Sequence, residues 1–345
     1  MLRKAITKLI EGKNLSEAEI VEALSCIMEG KATQAQIGSF ITALRIKGET
    51  TEEITGCARV MREKAERISP NVEYYIDTCG TGGDGTNTFN ISTAAALVAA
   101  AGGVAVAKHG NRSVSSRSGS ADVLEVLGAN IDLSPIQVKE CIEQVGIGFM
   151  YAPAFHKLMK YAAGPRKELG IRTVFNILGP LTNPANARGQ LLGVFNEKLT
   201  EPVANVLLNL GVERAMVIHG MDGMDEITTT TATKVSEVRN NEVINYEINP
   251  EKYGFKLALK EDLTGKDAQE NAQIIMGIFN GDKGPRRDIV VLNSAAALYV
   301  GKVVSSIEEG IELAQEIIDS KKALKKLNEF LDMTNTFLER EKLSS

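Results

Sequence analysis

A glycine-dense loop between a strand-like run and an alanine-rich helix constrains this chain more than any other feature. Residues 72–76 are apolar enough for a strand, the string TCGTGGDGTNTFNIST follows at 78–93, and residues 94–101 are mostly alanine. Gly80, Gly82, Gly83 and Gly85 leave the loop almost no side-chain bulk, and Ser92 and Thr93 open a stretch of high helix propensity. Strand, glycine loop and helix N-terminus together turn backbone N–H groups and the helix dipole towards an anion. A second apolar run at 103–107 leads into KHGNRSVSSRSGSAD at 108–122, a cationic and hydroxyl-rich loop. Two such loops leaving neighbouring strands on the same side would close over one polyanionic ligand.

Charge sets the size of that ligand. The chain has 39 Lys and Arg against 44 Asp and Glu, a net charge of −5, so the local basic loop points to a small anion and not to nucleic acid. No apolar run approaches the ~20 residues that span a bilayer, and the start of the chain reads as an amphipathic helix, not a signal peptide, which predicts a cytoplasmic protein. Cys26, Cys57, Cys79 and Cys141 are scattered without a CxxC pair, against zinc or a disulfide framework. Cys79 lies within the glycine-rich string, yet no base is near it in sequence, and it reads as a small buried filler.

At 345 residues with 43% hydrophobic content, one large or two unequal domains are expected. Residues 1–69 read as helices, with a capping box at Ser16 and Glu19, further starts at Thr33 and Thr51, and a last helix carried on to Pro70. From there strands at 72–76, 103–107, 147–150, 190–194 and 215–219 alternate with helices, one of them opened by a capping box at Ser134 and Gln137 with Pro135 at its first position. The alternation predicts an α/β fold, a mostly parallel central sheet flanked by helices, with a small N-terminal helical bundle domain at 1–70 and the large domain at 71–345. Residues 229–248 read as a hairpin turning at Asn240 and Asn241, and helices return after Thr264.

The strings DTCGTGGD at 77–84, KHGNR at 108–112 and GPLTNP at 179–184 resemble the signature segments of the anthranilate phosphoribosyltransferases, and the likeness covers nearly the whole chain. The resemblance implies transfer of a 5-phosphoribosyl group from phosphoribosyl diphosphate to the amine of anthranilate, with release of diphosphate, in tryptophan biosynthesis. It implies helices from about 153–185 packed back on the N-terminal bundle, a cleft between the domains, and a homodimer formed through the helical domain. Ligands implied for phosphoribosyl diphosphate are Gly80, Gly83, Asp84, Thr88, Asn90, Ile91, Ser92, Thr93, Lys108, His109, Gly110, Asn111, Arg112, Ser113, Val114, Ser115, Ser116 and Ser120. Gly80, Asn111 and Arg166 are implied for anthranilate, and Ser92, Asp225 and Glu226 for Mg²⁺.

The residue chemistry fits these roles to different degrees. An acidic pair after a strand, flanked by glycines, suits a hard cation that keeps waters and leans on substrate phosphate, and Asp225 and Glu226 are ranked above Asp222 on the family pattern. Lys108, Asp225 and Glu226 are the groups expected to act on the departing diphosphate. Arg166 offers the planar fork of a carboxylate binder, but the residues alone do not separate it from Lys167 or Arg172. His156 and His219 read as structural, and His109 is not assigned a base role. Two alternatives stand beside this reading. A pyrimidine nucleoside phosphorylase shares the fold and a string like that of Ser115 to Glu125, but has a further C-terminal domain. A non-catalytic nucleic-acid-binding relative would show a basic surface and degraded loops.

Overall fold

Helices in the N-terminal region start where a hydroxyl side chain can take over the first orphaned amides. The computed structural model describes residues 2–113 and 117–344. After α1 (Leu2–Ile10), Ser16, Thr33 and Thr50 cap α2 (Glu17–Met28), α3 (Gln34–Lys47) and α4 (Thr51–Lys64), in reciprocal boxes with Glu19, Gln36 and Glu53. Glu53 is fully buried and serves three segments at once. One carboxylate oxygen accepts from the Thr50 amide at 2.9 Å and Lys47 Nζ at 2.6 Å, and the other from the Leu15 amide at 2.8 Å. The fourth helix ends at Lys64, short of the expected Pro70, because tertiary bonds claim the backbone: the Glu66 amide donates to the Phe155 carbonyl and the Ile68 amide to that of Pro184.

Seven strands form one sheet: β1 (Tyr75–Gly80), β2 (Ala105–Gly110), β3 (Ile147–Tyr151), β4 (Gly189–Gly193), β5 (Arg214–Gly220), β6 (Thr233–Arg239) and β7 (Glu242–Ile248). Between β1 and β3 lie α5 (Ile91–Ala101), α6 (Ser120–Leu127) and α7 (Pro135–Val145), then α8 (Ala152–Phe155), α9 (Lys160–Leu169) and α10 (Phe175–Leu181) before β4, and α11 (Thr200–Asn209) before β5. The chain closes with α12 (Ala268–Asn280), α13 (Pro285–Val300), α14 (Ile307–Asp319) and α15 (Lys322–Ser344). Strand order is β3-β2-β1-β4-β5-β6-β7, with β1 to β5 parallel and the last two antiparallel. Successive strands build outwards from β1 on one side and from β4 on the other, so the order reverses between them, the position where sheets of this kind bind ligands.

Both glycine-loop strands run later than the apolar residues suggest. β1 pairs with β4 as far as Gly80 against Gly193, and β2 with β3 as far as Gly110 against Tyr151. Asp77, Thr78, Lys108 and His109 are therefore buried strand residues, with Lys108 and His109 inside the sheet and not in a loop. The hairpin turns at Asn240 and Asn241, both left-handed at φ 55° and 61°, the conformation that asparagine tolerates in a two-residue turn.

The alanines of α5 let it lie buried on all sides between the sheet and the C-terminal helices, in a core that includes Ala96, Phe149, Leu292 and Phe330. A second core joins Leu24 and Phe40 of the N-terminal helices to Leu178 of α10 and to Leu192 and Val217 on the sheet. Among the described residues no helix is long and apolar enough to cross a membrane.

Candidate active site

The adjacent ends of β1 and β4 carry glycine because a third segment occupies the side-chain space. A Cβ on Gly80 would collide with the Asp225 carboxylate, and one on Gly193 would overlap the Asp225 carbonyl. Asp225 Oδ2 accepts from the Gly82 amide at 2.7 Å, which ties the acidic turn after β5 to the glycine loop after β1. Burial, and then the charge of Asp84, push the Asp225 carboxyl up to about 7. Burial and then Asp225 push Glu226 well above the carboxylate range, with Lys108 and the Ser92 amide pulling the other way. Asp222 is engaged elsewhere: it accepts from Thr228 Oγ1 at 2.7 Å, from Thr230 Oγ1 and from the Met224 amide at 3.1 Å, so it closes its own turn.

Gly82, Gly83 and Gly85 have φ of 63°, 73° and 77°, a region that L side chains rarely adopt. Among the described residues the amides of Gly83, Asp84 and Gly85 have no partner, while Asp84 holds Thr86 and Arg172 donates to the Gly83 carbonyl. α5 starts at Ile91 with Asn90 as its N-terminal flanking residue, so Ser92 and Thr93 lie in its first turn and do not precede it. Thr78 Oγ1 donates to the Ser92 carbonyl at 3.1 Å, and the buried Thr93 hydroxyl has no partner among the described residues. Thr88 pairs across to Thr264.

On β2, Lys108 is buried and its ammonium donates to the Thr78 carbonyl, which places its charge beside β1. Gly110 makes room for Ser120 Oγ and the Phe149 ring. Gly119 is needed for close backbone approach, since a Cβ there would meet the Asn111 carbonyl and Ser113 amide at 2.5 Å. Asn111 is exposed. The Arg112 guanidinium is engaged by Glu125, by Asp122 at 3.1 Å and by Tyr151 Oη at 3.3 Å; the Ser113 amide donates to Asp122 at 3.0 Å. Val114, Ser115 and Ser116 lie outside the described residues.

A family model described as the glycosyl transferase family α/β domain matches residues 73–324, and one for its helical bundle domain matches 3–65. The chain is 80% identical to the anthranilate phosphoribosyltransferase of Acetivibrio thermocellus over 344 residues, all of both chains, and 59% identical to that of Alkaliphilus metalliredigens, over 97% of this chain and 98% of the relative. The chain belongs to the anthranilate phosphoribosyltransferase family. It is a pentosyltransferase of the class that moves a phosphoribosyl group from phosphoribosyl diphosphate to anthranilate. The crystal structure of the Thermus thermophilus member superimposes with a TM-score of 0.91 at 42% identity, over 96% of this chain and 99% of that one. The Saccharomyces cerevisiae member in complex with phosphoribosyl diphosphate and Mg superimposes at 0.90 with 28% identity, covering 97% and 98%.

Within this family fold the structure separates three cations that the sequence leaves equivalent. Arg166, on α9, is half-buried, its guanidinium lies over the Phe175 ring at 4.9 Å, and it has no acidic partner among the described residues. Burial lowers its proton affinity. Lys167 is exposed, and Arg172 is stacked on Phe195 at 4.4 Å while it holds Gly83. Of these three cations, Arg166 alone is half-buried without a hydrogen-bond or acidic partner among the described residues.

The segment 179–184 is held by side chains from far along the chain, and this frame is absent from the sequence reading. Gln190 donates to the Pro180 carbonyl at 2.6 Å and Arg62 Nε to the Leu181 carbonyl at 2.8 Å. Asn183 donates to Asp77 and to the Ala107 carbonyl, both at 2.8 Å, while the His109 amide donates to the other Asp77 oxygen at 3.1 Å. The rings of His109 and His156 lie 5.1 Å apart; burial holds them neutral, lowered to about 3 and about 4. His219 Nδ1 is bonded to the Val194 carbonyl at 2.7 Å. Burial raises the Cys79 thiol well above its ordinary range, against a nucleophilic role.

Proposed function

We propose that the chain uses the site at the ends of β1, β2 and β4 to join anthranilate to phosphoribosyl diphosphate, with the glycine loop and Lys108 on the diphosphate and Arg166 on the anthranilate carboxylate. The observation that carries the reading is the bond from Gly82 to Asp225, which brings the acidic turn against the amides facing the diphosphate. Bond formation between the amine and the ribose carbon accompanies loss of the diphosphate oxygen, so negative charge grows on the leaving group. Amides at 83–85, without partners among the described residues, and the Lys108 ammonium stabilise that charge with little reorganisation.

The donor set fits Mg²⁺. Asp225 and Glu226 are hard oxygen donors whose ionised forms repel one another and Asp84. Among the described residues no three acidic, His or Cys side chains gather to hold an ion alone, as suits a cation that keeps waters and shares substrate phosphates. Asp225, Glu226 and the Ser92 hydroxyl would hold it, and it would supply positive charge to the departing diphosphate.

Gly80, Thr88, Asn90, Ile91, Ser92, Thr93, the residues from 108 to 116 and Ser120 complete the phosphoribosyl diphosphate site in this reading, with Asn111 beside the anthranilate. No general base is assigned, since burial lowers His109 to about 3, which makes it a weak proton acceptor, and its place is against His156. Residues 1–70, with helices from 153–185, act as the small domain. Ile10 and Ile46, exposed by 73% and 81%, support a homodimer through that domain. The cytoplasm is the compartment that fits a biosynthetic enzyme.

Loss of anthranilate fluorescence in the presence of phosphoribosyl diphosphate and Mg²⁺ tests the activity, with thymidine and phosphate as the control substrates. Turnover of thymidine and none of anthranilate would overturn it. For the carboxylate clamp, Arg166→Ala is expected to raise the anthranilate KM more than about tenfold, the effect of losing a ~1.5–3 kcal/mol charged hydrogen bond, and to leave the other KM nearly unchanged.

A further inference from the structure

A segment that follows the hairpin, far from either signature loop, clamps the start of α5. The Gly265 amide donates to the Asn87 carbonyl at 2.9 Å and the Phe89 amide to the Leu263 carbonyl at 3.3 Å, on either side of the Thr88–Thr264 pairing. Arg286, in the first turn of α13, donates to the carbonyls of Asp262 and Thr264, both at 3.1 Å, and so holds the strap from behind. A Cβ at Gly265 would collide with the Asn271 amide oxygen and lie 2.9 Å from Phe89 Cα, so the strap can lie this close only with glycine.

Asn271, on α12 and 2% exposed, extends that clamp to one side chain. Its Nδ2 donates to Asn90 Oδ1 at 2.9 Å; Ser118 Oγ donates to the same oxygen at 3.1 Å, and Asn90 Nδ2 donates to the Ser118 carbonyl at 3.3 Å. The Asn90 oxygen therefore has two donors, and one of its two N–H groups is used. What the amide has left to offer is a hydrogen-bond donor, the polarity that a phosphate oxygen requires. Without Asn271 only the Ser118 hydroxyl would hold Oδ1, and the amide would be less firmly kept from turning its oxygen to the anion.

We propose that Asn271 is a positioning residue that fixes the polarity of the Asn90 amide for phosphoribosyl diphosphate, with Arg286 holding the strap that keeps the loop in place. The inference rests on the reading of Asn90 as a ligand to that substrate. The sharp variant is Asn271→Asp, which keeps the shape and replaces the donor with an acceptor. Asn271→Ala removes the donor without adding a buried charge and serves where the first variant does not fold. Calorimetric titration with phosphoribosyl diphosphate and Mg²⁺ on the full chain is expected to show a Kd raised about tenfold by either, with anthranilate KM shifted less than twofold.

A double-mutant cycle separates the two readings. Asn90→Ala alone tests the ligand role: wild-type affinity in that variant overturns the placement of Asn90 in the site. If Asn90→Ala weakens binding, Asn90→Ala with Asn271→Ala is expected to bind as weakly as Asn90→Ala alone, since both act through one amide. Multiplying losses, or equal changes for both substrates, would make Asn271 a merely structural residue and overturn the inference. Arg286→Ala is expected to raise the same Kd by a smaller factor; an unchanged Kd removes the strap from the proposal.

Discussion

The glycine loop at 81–86 and the segment at 179–184 both carry signature strings, and their polar groups are treated in opposite ways. In the glycine loop the amides of Gly83, Asp84 and Gly85 have no partner among the described residues, and three glycines adopt positive φ. In the second segment distant buried side chains hold the backbone: Gln190 takes the Pro180 carbonyl, Arg62 that of Leu181, and Asn183 reaches Asp77. A region that is to bind an anion keeps its donors unspent, while a region that is to hold a shape spends them internally. Changes in the first region should therefore appear in ligand affinity, and changes in the second in stability.

The largest expected effect joins Asp225, which holds the glycine loop, with its neighbour Glu226. Asp225→Asn with Glu226→Gln should lower kcat/KM by about a hundredfold or more, on the scale of ~2.7–4 kcal/mol for a lost electrostatic group, and raise the Mg²⁺ concentration needed. Thermal unfolding should show no loss of stability, because repulsion with Asp84 is removed. Full activity with unaltered Mg²⁺ dependence would break the assignment of the ligand side to this turn.

Arg62→Ala should show the opposite profile. It orphans the buried Leu181 carbonyl, at ~1–3 kcal/mol, so the urea midpoint should fall while kcat per folded molecule stays within about twofold. A kcat that falls with an unchanged midpoint would show that the frame takes part in the chemistry.

Gly83→Ala places a side chain at φ 73°. The loop can escape the strain of ~1–2 kcal/mol by relaxing while it is free, so the urea midpoint should move little, and the cost of regaining the binding conformation should weaken phosphoribosyl diphosphate binding about tenfold in calorimetry. Wild-type affinity would reduce the loop to a turn.

The smallest effect per unit change comes from the paired histidines of the frame. Their folded values, about 3 for His109 and about 4 for His156, lie below the ordinary 6.5, so the unfolded chain binds protons first as pH falls. Their contribution is complete above pH 6.5 and is lost as pH falls towards 4, by at most ~1.4 kcal/mol per pH unit for each ring. Denaturant unfolding between pH 7.5 and 5 should show this slope, and His156→Gln should reduce it. An unchanged slope would mean that the rings are not kept neutral by the fold.

Much of the architecture follows from local rules. Capping boxes at Ser16, Thr33 and Ser134 start helices where side-chain oxygens can take orphaned amides, and left-handed Asn240 and Asn241 turn the hairpin. Alternating strand and helix patterns specify the parallel sheet, and the glycine loop marks where an anion can approach. Strand ends were less legible, since apolar runs stop at 76 and 107 while pairing continues to Gly80 and Gly110 through Asp77, Thr78, Lys108 and His109. Polar residues enter a sheet when another part of the chain satisfies them, and a linear pattern does not contain that partner.

The site divides in the same way. Sequence alone determines the chemistry on offer: amides without bulk, an acidic pair, a lysine, and several arginines. The family pattern ranks Asp225 above Asp222, and the tertiary structure supplies the physical reason: Asp225 accepts from the Gly82 amide, while Thr228 and Thr230 occupy Asp222. Among the described residues it also leaves Arg166 without an acidic partner while Arg112 and Arg172 are engaged. Gly193 and Asn271, neither in a recognisable string, make room for Asp225 and donate to Asn90 from a strand and a helix more than a hundred residues from the glycine loop and from Asn90 respectively. Spatial neighbours decide which donors and charges are already spent, and a polar group acts on a ligand only with what its neighbours have left unused.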